Sequence, residues 1–338
     1  MAVISTNKRA NKPIRQARLA FLMLLPTFII LTMVAFYPLL RTFGASLTDE
    51  IFARPDLTVH FVGLANYQKL LSFEIVELPD NTRPVEMLPS GYYILTSFQL
   101  SGQTYILAAT DPDFMRAALN TVVFTFMAVS TELILGLGLA MLVNTNFPGR
   151  GLMRSFMLIP WAIPTVVSAQ LWKWMLFDNR AGVINDLLMR SGAITQSLAW
   201  RAEPRLQIIS VVLIDVWKMT PYIALLLLAG LQIIPEDLYE AAAVDGATRW
   251  EQFIEITLPL LRPVILLALI FRTLDALRIF DLFSVLLGHD VPSLATYNQE
   301  VLVGASTYGY ASAIGVVVFL MTLLFTILYM SAFQMDGA

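Results

Sequence analysis

Six stretches of this chain are long and apolar enough to cross a lipid bilayer, and that leaves few other folds open. They run over about 19–40, 119–143, 153–177, 206–230, 261–287 and 308–333. A spanning helix needs about 20 apolar residues, because each adds about 1.5 Å against a hydrocarbon core of about 30 Å. Inside lipid, each backbone polar group must find its partner within the protein, so apolar runs of this length are helices. Composition agrees: 57% of the 338 residues are hydrophobic and 14% are charged, against about 25% charged in a soluble domain. The expected fold class is an all-α polytopic membrane protein with six transmembrane helices.

Orientation follows from charge. Lys8, Arg9, Lys12, Arg15 and Arg18 precede the first span with no acid among them, and Arg41 alone follows it closely. The positive-inside rule then places the N-terminus in the cytoplasm, and six spans return the C-terminus to the same side. Arg180, Arg190, Arg201 and Arg205 fall in a loop this topology puts outside; the N-terminal cluster is given more weight because the first helix usually dominates. The first span is too long for a cleaved signal and lacks a small-residue cleavage site, so it reads as a signal anchor.

Several function classes drop out. There is no cysteine, which excludes disulfides, thiolate metal sites and cysteine nucleophiles. His60 and His289 are far apart and both lie outside the spans, so no metal site and no intramembrane histidine chemistry is expected. A net charge of −3 gives no footprint for nucleic acid. Buried carboxylates keep a proton-coupled carrier open as an alternative.

Between the first two spans, residues 41–118 form a long outside segment. At about 73–110 it carries GYYILTSFQL and QTYILAA around Ser101-Gly102, a β-hairpin pattern. Prolines interrupt several spans: Pro160 and Pro164 in the third, Pro221 in the fourth. Each removes a backbone donor and frees a carbonyl, which marks either a packing kink or a cavity wall.

The segment 235–263, PEDLYEAAAVDGATRWEQFIEITLPLLRP, is polar, and the topology places it in the cytoplasm. Pro235, Glu236 and Asp237 suit the start of a helix. Gly246 suits its left-handed stop. Thr248 and Glu251 form a capping box that opens a second helix, which Pro259 and Pro263 are expected to end before span five. Ala241, Ala242 and Ala243 give the first helix a flat side, open to close approach by a partner.

Here the chain resembles the membrane subunits of ABC importers. Glu240-Ala241-Ala242, then Gly246 and Ile256-Thr257-Leu258-Pro259 reproduce that family's EAA signature without a gap. VWKMTPYIALLLLAG, LRPVILLALIFRTLDALRIFDLF and the first span resemble the carbohydrate subclass, the maltose/trehalose/glycerol-phosphate type. Only about 73–110 shows no family pattern. The resemblance implies a permease subunit of a bacterial or archaeal plasma membrane, not an enzyme: 1–18 a basic tail, 19–40 span one, 119–334 a five-span core. It implies that Glu240, Ala241, Ala242, Asp245, Gly246, Ile256, Leu258 and Pro259 in the loop 235–259 dock in a groove of a dimeric ATP-binding subunit. It also implies a second, non-identical EAA-type permease and an extracytoplasmic sugar-binding protein. No lysine follows a glycine, so the chain lacks a P-loop; it is expected to bind no cofactor, ATP and Mg being used by the partner. An amino-acid, peptide or glycerol-phosphate permease remains the near alternative.

Charges within the spans mark the candidate path. Glu132, Lys173, Asp215, Lys218, Arg272, Asp275, Arg278 and Asp281 fall in or near predicted spans. The four in span five would cost on the order of 10 kcal/mol facing lipid centrally, so they face protein or water. Spacing lets Arg272 meet Asp275 and Arg278 meet Asp281. Asp215 and Arg272 lie about 22 and 20 Å from the cytoplasmic ends of their spans, in one layer. The maltose-type subunits contact sugar at this depth. Asp215, Lys218, Arg272 and Asp275 with Ser168 are therefore candidate sugar ligands, and Trp161 or Trp217 a stacking surface. The competing reading is a purely structural ion-pair network.

Overall fold

The computed structural model describes residues 12–54, 56–79 and 87–334. Lys8 and Arg9 of the basic cluster and residues 80–86 of the insertion lie outside the described residues. The protein is mostly helical. Five helices are long and apolar enough to cross a membrane, and a sharply bent pair raises the number to as many as six.

The first span comprises α1 (Lys12–Leu31), a wide π-helical turn (Thr32–Phe36) and α2 (Tyr37–Ala45). After α3 (Ala65–Leu71) come β1 (Phe73–Leu78), β2 (Tyr93–Leu100) and β3 (Gln103–Ala109). The next helices are α4 (Pro112–Asn144), α5 (Arg150–Ala162), α6 (Thr165–Met175), α7 (Val183–Arg190) and α8 (Pro204–Leu231). The predicted spans at 119–143 and 206–230 thus fall within single helices, as the one at 308–333 does within Tyr308–Gln334.

The expected hairpin at 93–109 is present, its turn made by Ser101 and Gly102 with φ of 53° and 85°. Positive φ at both central residues is what a type I′ hairpin turn requires. A third strand, β1, joins it without a hairpin signal in the sequence. β1 pairs antiparallel with β3, giving a sheet in the order β1-β3-β2 with Phe73 opposite Ala109.

The third predicted span is not one helix. α5 and α6 meet at 89°, broken at Ile163 and Pro164. Pro164 cannot donate to the Pro160 carbonyl, and Ile163 before it takes extended backbone at ψ 131°, as a residue preceding proline prefers.

The fifth span also differs. α9 (Glu236–Val244) is followed by α10 (Arg249–Gln252), a second π-helical turn (Phe253–Thr257) and α11 (Leu258–Ala276). Residues Arg249–Ala276 make one continuous helical segment, long and apolar enough to cross a membrane, so Pro259 and Pro263 do not end the helix as expected. The wide turn brings Leu258 N–H to the Phe253 carbonyl, which loosens the turn that the Pro259 ring would otherwise strike. Thr32–Phe36 precedes Pro38 in the same way. The span stops at Ala276, short of 287. Leu282, Phe283 and Leu286 belong to a separate helix, α12 (Asp281–Leu286), buried against Phe124, Ile214 and Leu287. Their apolarity fills a protein core rather than meeting lipid. α13 (Leu294–Gln299), a π-helical turn (Glu300–Gly304) and α14 (Tyr308–Gln334) complete the chain.

α4 and α8 pack most closely. A Cβ on Gly136 would come within 2.7 Å of Ile223, and one on Gly230 within 2.8 Å of Leu261. Small residues at these crossings let membrane helices approach backbone to backbone. Asp111 caps α4, accepting from Phe114 N–H at 2.9 Å and from the hydroxyls of Tyr297 and Tyr310. Burial, with Asp111 beside it, pushes the Tyr297 hydroxyl far above its ordinary pKa and keeps it a donor. The Thr121 hydroxyl accepts from Leu294 N–H at 2.8 Å, tying α13 to α4.

Candidate functional site

The hairpin 235–259 follows the local code read from its sequence. Gly246 has φ +87°, donates to the Ala243 carbonyl at 3.2 Å, and is followed by Ala247 donating to Ala242 at 2.9 Å. That pair of bonds is a Schellman stop, which needs a left-handed residue where Gly246 sits. Thr248 N–H donates to Glu251 Oε2 at 2.6 Å and Glu251 N–H to Thr248 Oγ1 at 3.3 Å, closing the capping box. Tyr239 and Thr257 join their hydroxyls at 2.9 Å and brace the two arms.

What the hairpin leaves uncovered is informative. Glu240, Ala241, Asp245 and Gly246 are exposed, Ala242, Ile256, Leu258 and Pro259 partly so. Val244 is 88% exposed and Trp250 69%. Large apolar side chains left uncovered beside a tight turn suit an interface.

Within the spans, charges gather in one closed network. Arg272 donates through Nε and Nη2 to both oxygens of Glu132, at 2.5 and 2.9 Å. Its Nη2 also reaches Asp215 Oδ2 at 2.6 Å. The three side chains are 4%, 0% and 5% exposed. Asp215 and Arg272 do share a layer, as their depths implied. Their partner is Glu132, which the sequence reading placed in a span without assigning it to the site. The signal was available, since a lone acid in an apolar helix needs a cation; the choice of cation required the packing of α4 on α11. Arg272 does not pair with Asp275, which is exposed and makes no side-chain hydrogen bond among the described residues. Arg278 and Asp281 fall either side of a helix break, and Arg278 donates to the Leu274 carbonyl instead.

The other candidates divide by exposure. Lys218 Nζ is turned to the carbonyls of Trp161, at 3.1 Å, and Ile163. Ser168 is 1% exposed and its hydroxyl is unpartnered among the described residues. Trp161 is 43% exposed, with one ring face stacked on Tyr222 at 5.7 Å and 12°. Trp217 is 37% exposed and meets Trp172 edge-on. Asp215, Lys218 and Arg272 therefore hold protein groups, whereas Trp161, Trp217 and Asp275 present open surface. Among the described residues, no group of histidine, aspartate and glutamate is arranged to hold a metal.

Residues 132–332 match the family described as the binding-protein-dependent transport system inner membrane component. The chain belongs to this family. Membership makes it a transport subunit rather than an enzyme, and a multi-pass membrane protein. Among its relatives is the trehalose/maltose transport system permease protein MalF of Thermococcus litoralis, 37% identical over 97% of both chains. The sulfoquinovosyl glycerol transport system permease protein SmoG of Agrobacterium fabrum is 34% identical, over 92% of this chain and 89% of its own. The trehalose transport system permease protein SugA of Mycobacterium tuberculosis is 33% identical, over 92% and 87%. The carbohydrate subclass expected from the sequence is the one these relatives represent. A chain of a bacterial alginate ABC transporter, solved with an alginate pentasaccharide-bound periplasmic protein, shares the fold at TM-score 0.68 and 22% identity, over 95% of this chain and 96% of that one. A second alginate importer structure aligns at TM-score 0.71 and 21% identity, over 98% and 100%.

Proposed function

We propose that this chain is one half of the membrane pathway of an ATP-driven importer for a disaccharide or oligosaccharide of the trehalose or maltose kind, in a bacterial or archaeal plasma membrane. The observation that carries the reading is the rigid, uncovered hairpin around Gly246, whose residues reproduce the EAA signature of importer subunits. A separate dimeric ATPase, using ATP and Mg, docks there. A second permease subunit of the same type completes the path, and an extracytoplasmic binding protein delivers the sugar. The N- and C-termini and the hairpin lie in the cytoplasm. Residues 41–118, with the three-stranded sheet, lie outside.

Within the path, the sugar meets the open aromatic and polar side chains, with Trp161 foremost. An exposed indole face suits the apolar face of a pyranose, and Asp275 offers a carboxylate for hydroxyls. Glu132, Asp215 and Arg272 serve as an anchor joining three helices, because their hydrogen-bonding capacity is turned on one another. The names of the trehalose and maltose relatives support the sugar class.

The test is uptake by the reconstituted complex in liposomes. Labelled trehalose or maltose should accumulate with ATP on the ATPase side and binding protein on the other, and unlabelled sugar should compete where amino acids and peptides do not. Accumulation driven by a pH gradient without ATP would instead make the chain a proton-coupled carrier.

A further inference from the structure

The break between α5 and α6 leaves backbone carbonyls without helical partners. Thr165 N–H would reach the Trp161 carbonyl, and Val167 N–H the Ile163 carbonyl, only if the helix continued. In a membrane such carbonyls must be satisfied from elsewhere. Lys218, 6% exposed, supplies the donor: its ammonium meets both carbonyls. A cation at the C-terminal end of α5 also complements the helix dipole.

The same helix grips Trp161 a second time. Tyr222 lies one turn beyond Lys218 on α8, on the same face, and its ring stacks flat on the indole. Trp161 is thus held by its carbonyl and by one ring face, while 43% of the residue stays exposed. We propose that Lys218 is a positioning residue: by holding the Trp161 and Ile163 carbonyls it sets the bend of the third span and, through it, the place where the free face of Trp161 meets sugar. This rests on the reading of Trp161 as a sugar-stacking residue.

The test uses the full transporter in lipid nanodiscs with its binding protein. Cysteines replacing Leu152 on α5 and Trp174 on α6, 64% and 65% exposed, carry spin labels, and this chain brings no cysteine of its own. The distance between the labels reports the bend. Lys218→Met should broaden and shift that distance and, with the charge-assisted bonds lost, raise KM for the sugar roughly tenfold with a smaller change in kcat. Lys218→Arg, which keeps a cation at the carbonyls, should recover both. Trp161→Ala should raise KM similarly, and adding Lys218→Met to it should raise KM no further. If Lys218→Met does not assemble, Lys218→Gln gives the same readouts at smaller amplitude. An unchanged distance and KM in the Lys218 variants, with KM raised by Trp161→Ala, overturns the positioning role and leaves the sugar site standing. If Trp161→Ala leaves KM unaltered, the reading of Trp161 as a sugar-stacking residue fails; the label distance then decides by itself whether Lys218 sets the bend.

Discussion

Arg272 sets one guanidinium against two carboxylates, and Glu132 is closed from solvent while sharing it. Truncating Arg272 to methionine strands both acids, and breaking a buried pair costs about 3–5 kcal/mol. The expected outcome is a sharp loss of assembled complex in the membrane, measured by co-purification and thermal melting. Asp215→Asn should be milder, since the bidentate contact of Arg272 with Glu132 survives it. Normal accumulation of both variants together with lost uptake would instead make Asp215 and Arg272 sugar ligands. Composition and hydropathy showed that these charges had to face protein or water. They could not show which charge meets which. Arg272 with Asp275 was the nearest pair along the helix, yet three residues leave about 60° between side chains. That rotation turns Arg272 into the protein and Asp275 outward.

At the scale of elements, the sequence was most legible where one rule acted alone. Gly246 with the Thr248–Glu251 box fixed a turn through local bonds, and the structure keeps every one of them. Legibility failed where proline met a helix. Pro164 breaks a span, whereas Pro259 is accommodated by a wide turn; the proline itself is the same in both, so its presence does not tell the two outcomes apart. It failed again at Leu282, Phe283 and Leu286, because an apolar run inside a protein core looks like one inside lipid. Asp111 illustrates how an element end is secured. Asp111→Ala should lose about 0.5–2 kcal/mol for the helix cap, and about 1–3 kcal/mol for each tyrosine hydroxyl it leaves unpartnered. Asp111→Asn keeps an acceptor for the cap, so it should melt at a higher temperature than Asp111→Ala. Equal melting of both with the parent would show that the cap carries no stability.

For the whole molecule, the proposed topology assigns each exposed surface to a compartment. Single cysteines at Leu64 and Leu100, 63% and 60% exposed, should react with an impermeant thiol reagent added outside intact cells. One at Val244, 88% exposed, should react only after the membrane is opened. Labelling of Val244→Cys from outside would invert the topology. The central claim is that the hairpin converts ATP hydrolysis elsewhere into movement of this path. Gly246 tests it most directly. Within this chain a side chain there meets nothing within 4 Å, so the strain that substitution brings to the hairpin itself comes from backbone conformation. The left-handed geometry costs an ordinary residue about 1–2 kcal/mol, and a β-branched one resists it most. The decisive measurement is the ratio of sugar imported to ATP hydrolysed by reconstituted Gly246→Val complexes beside the parent. That ratio should collapse, with this chain still in the membrane and its hold on the ATPase weakened. A ratio equal to the parent's, with the ATPase held as firmly, would contradict the claim.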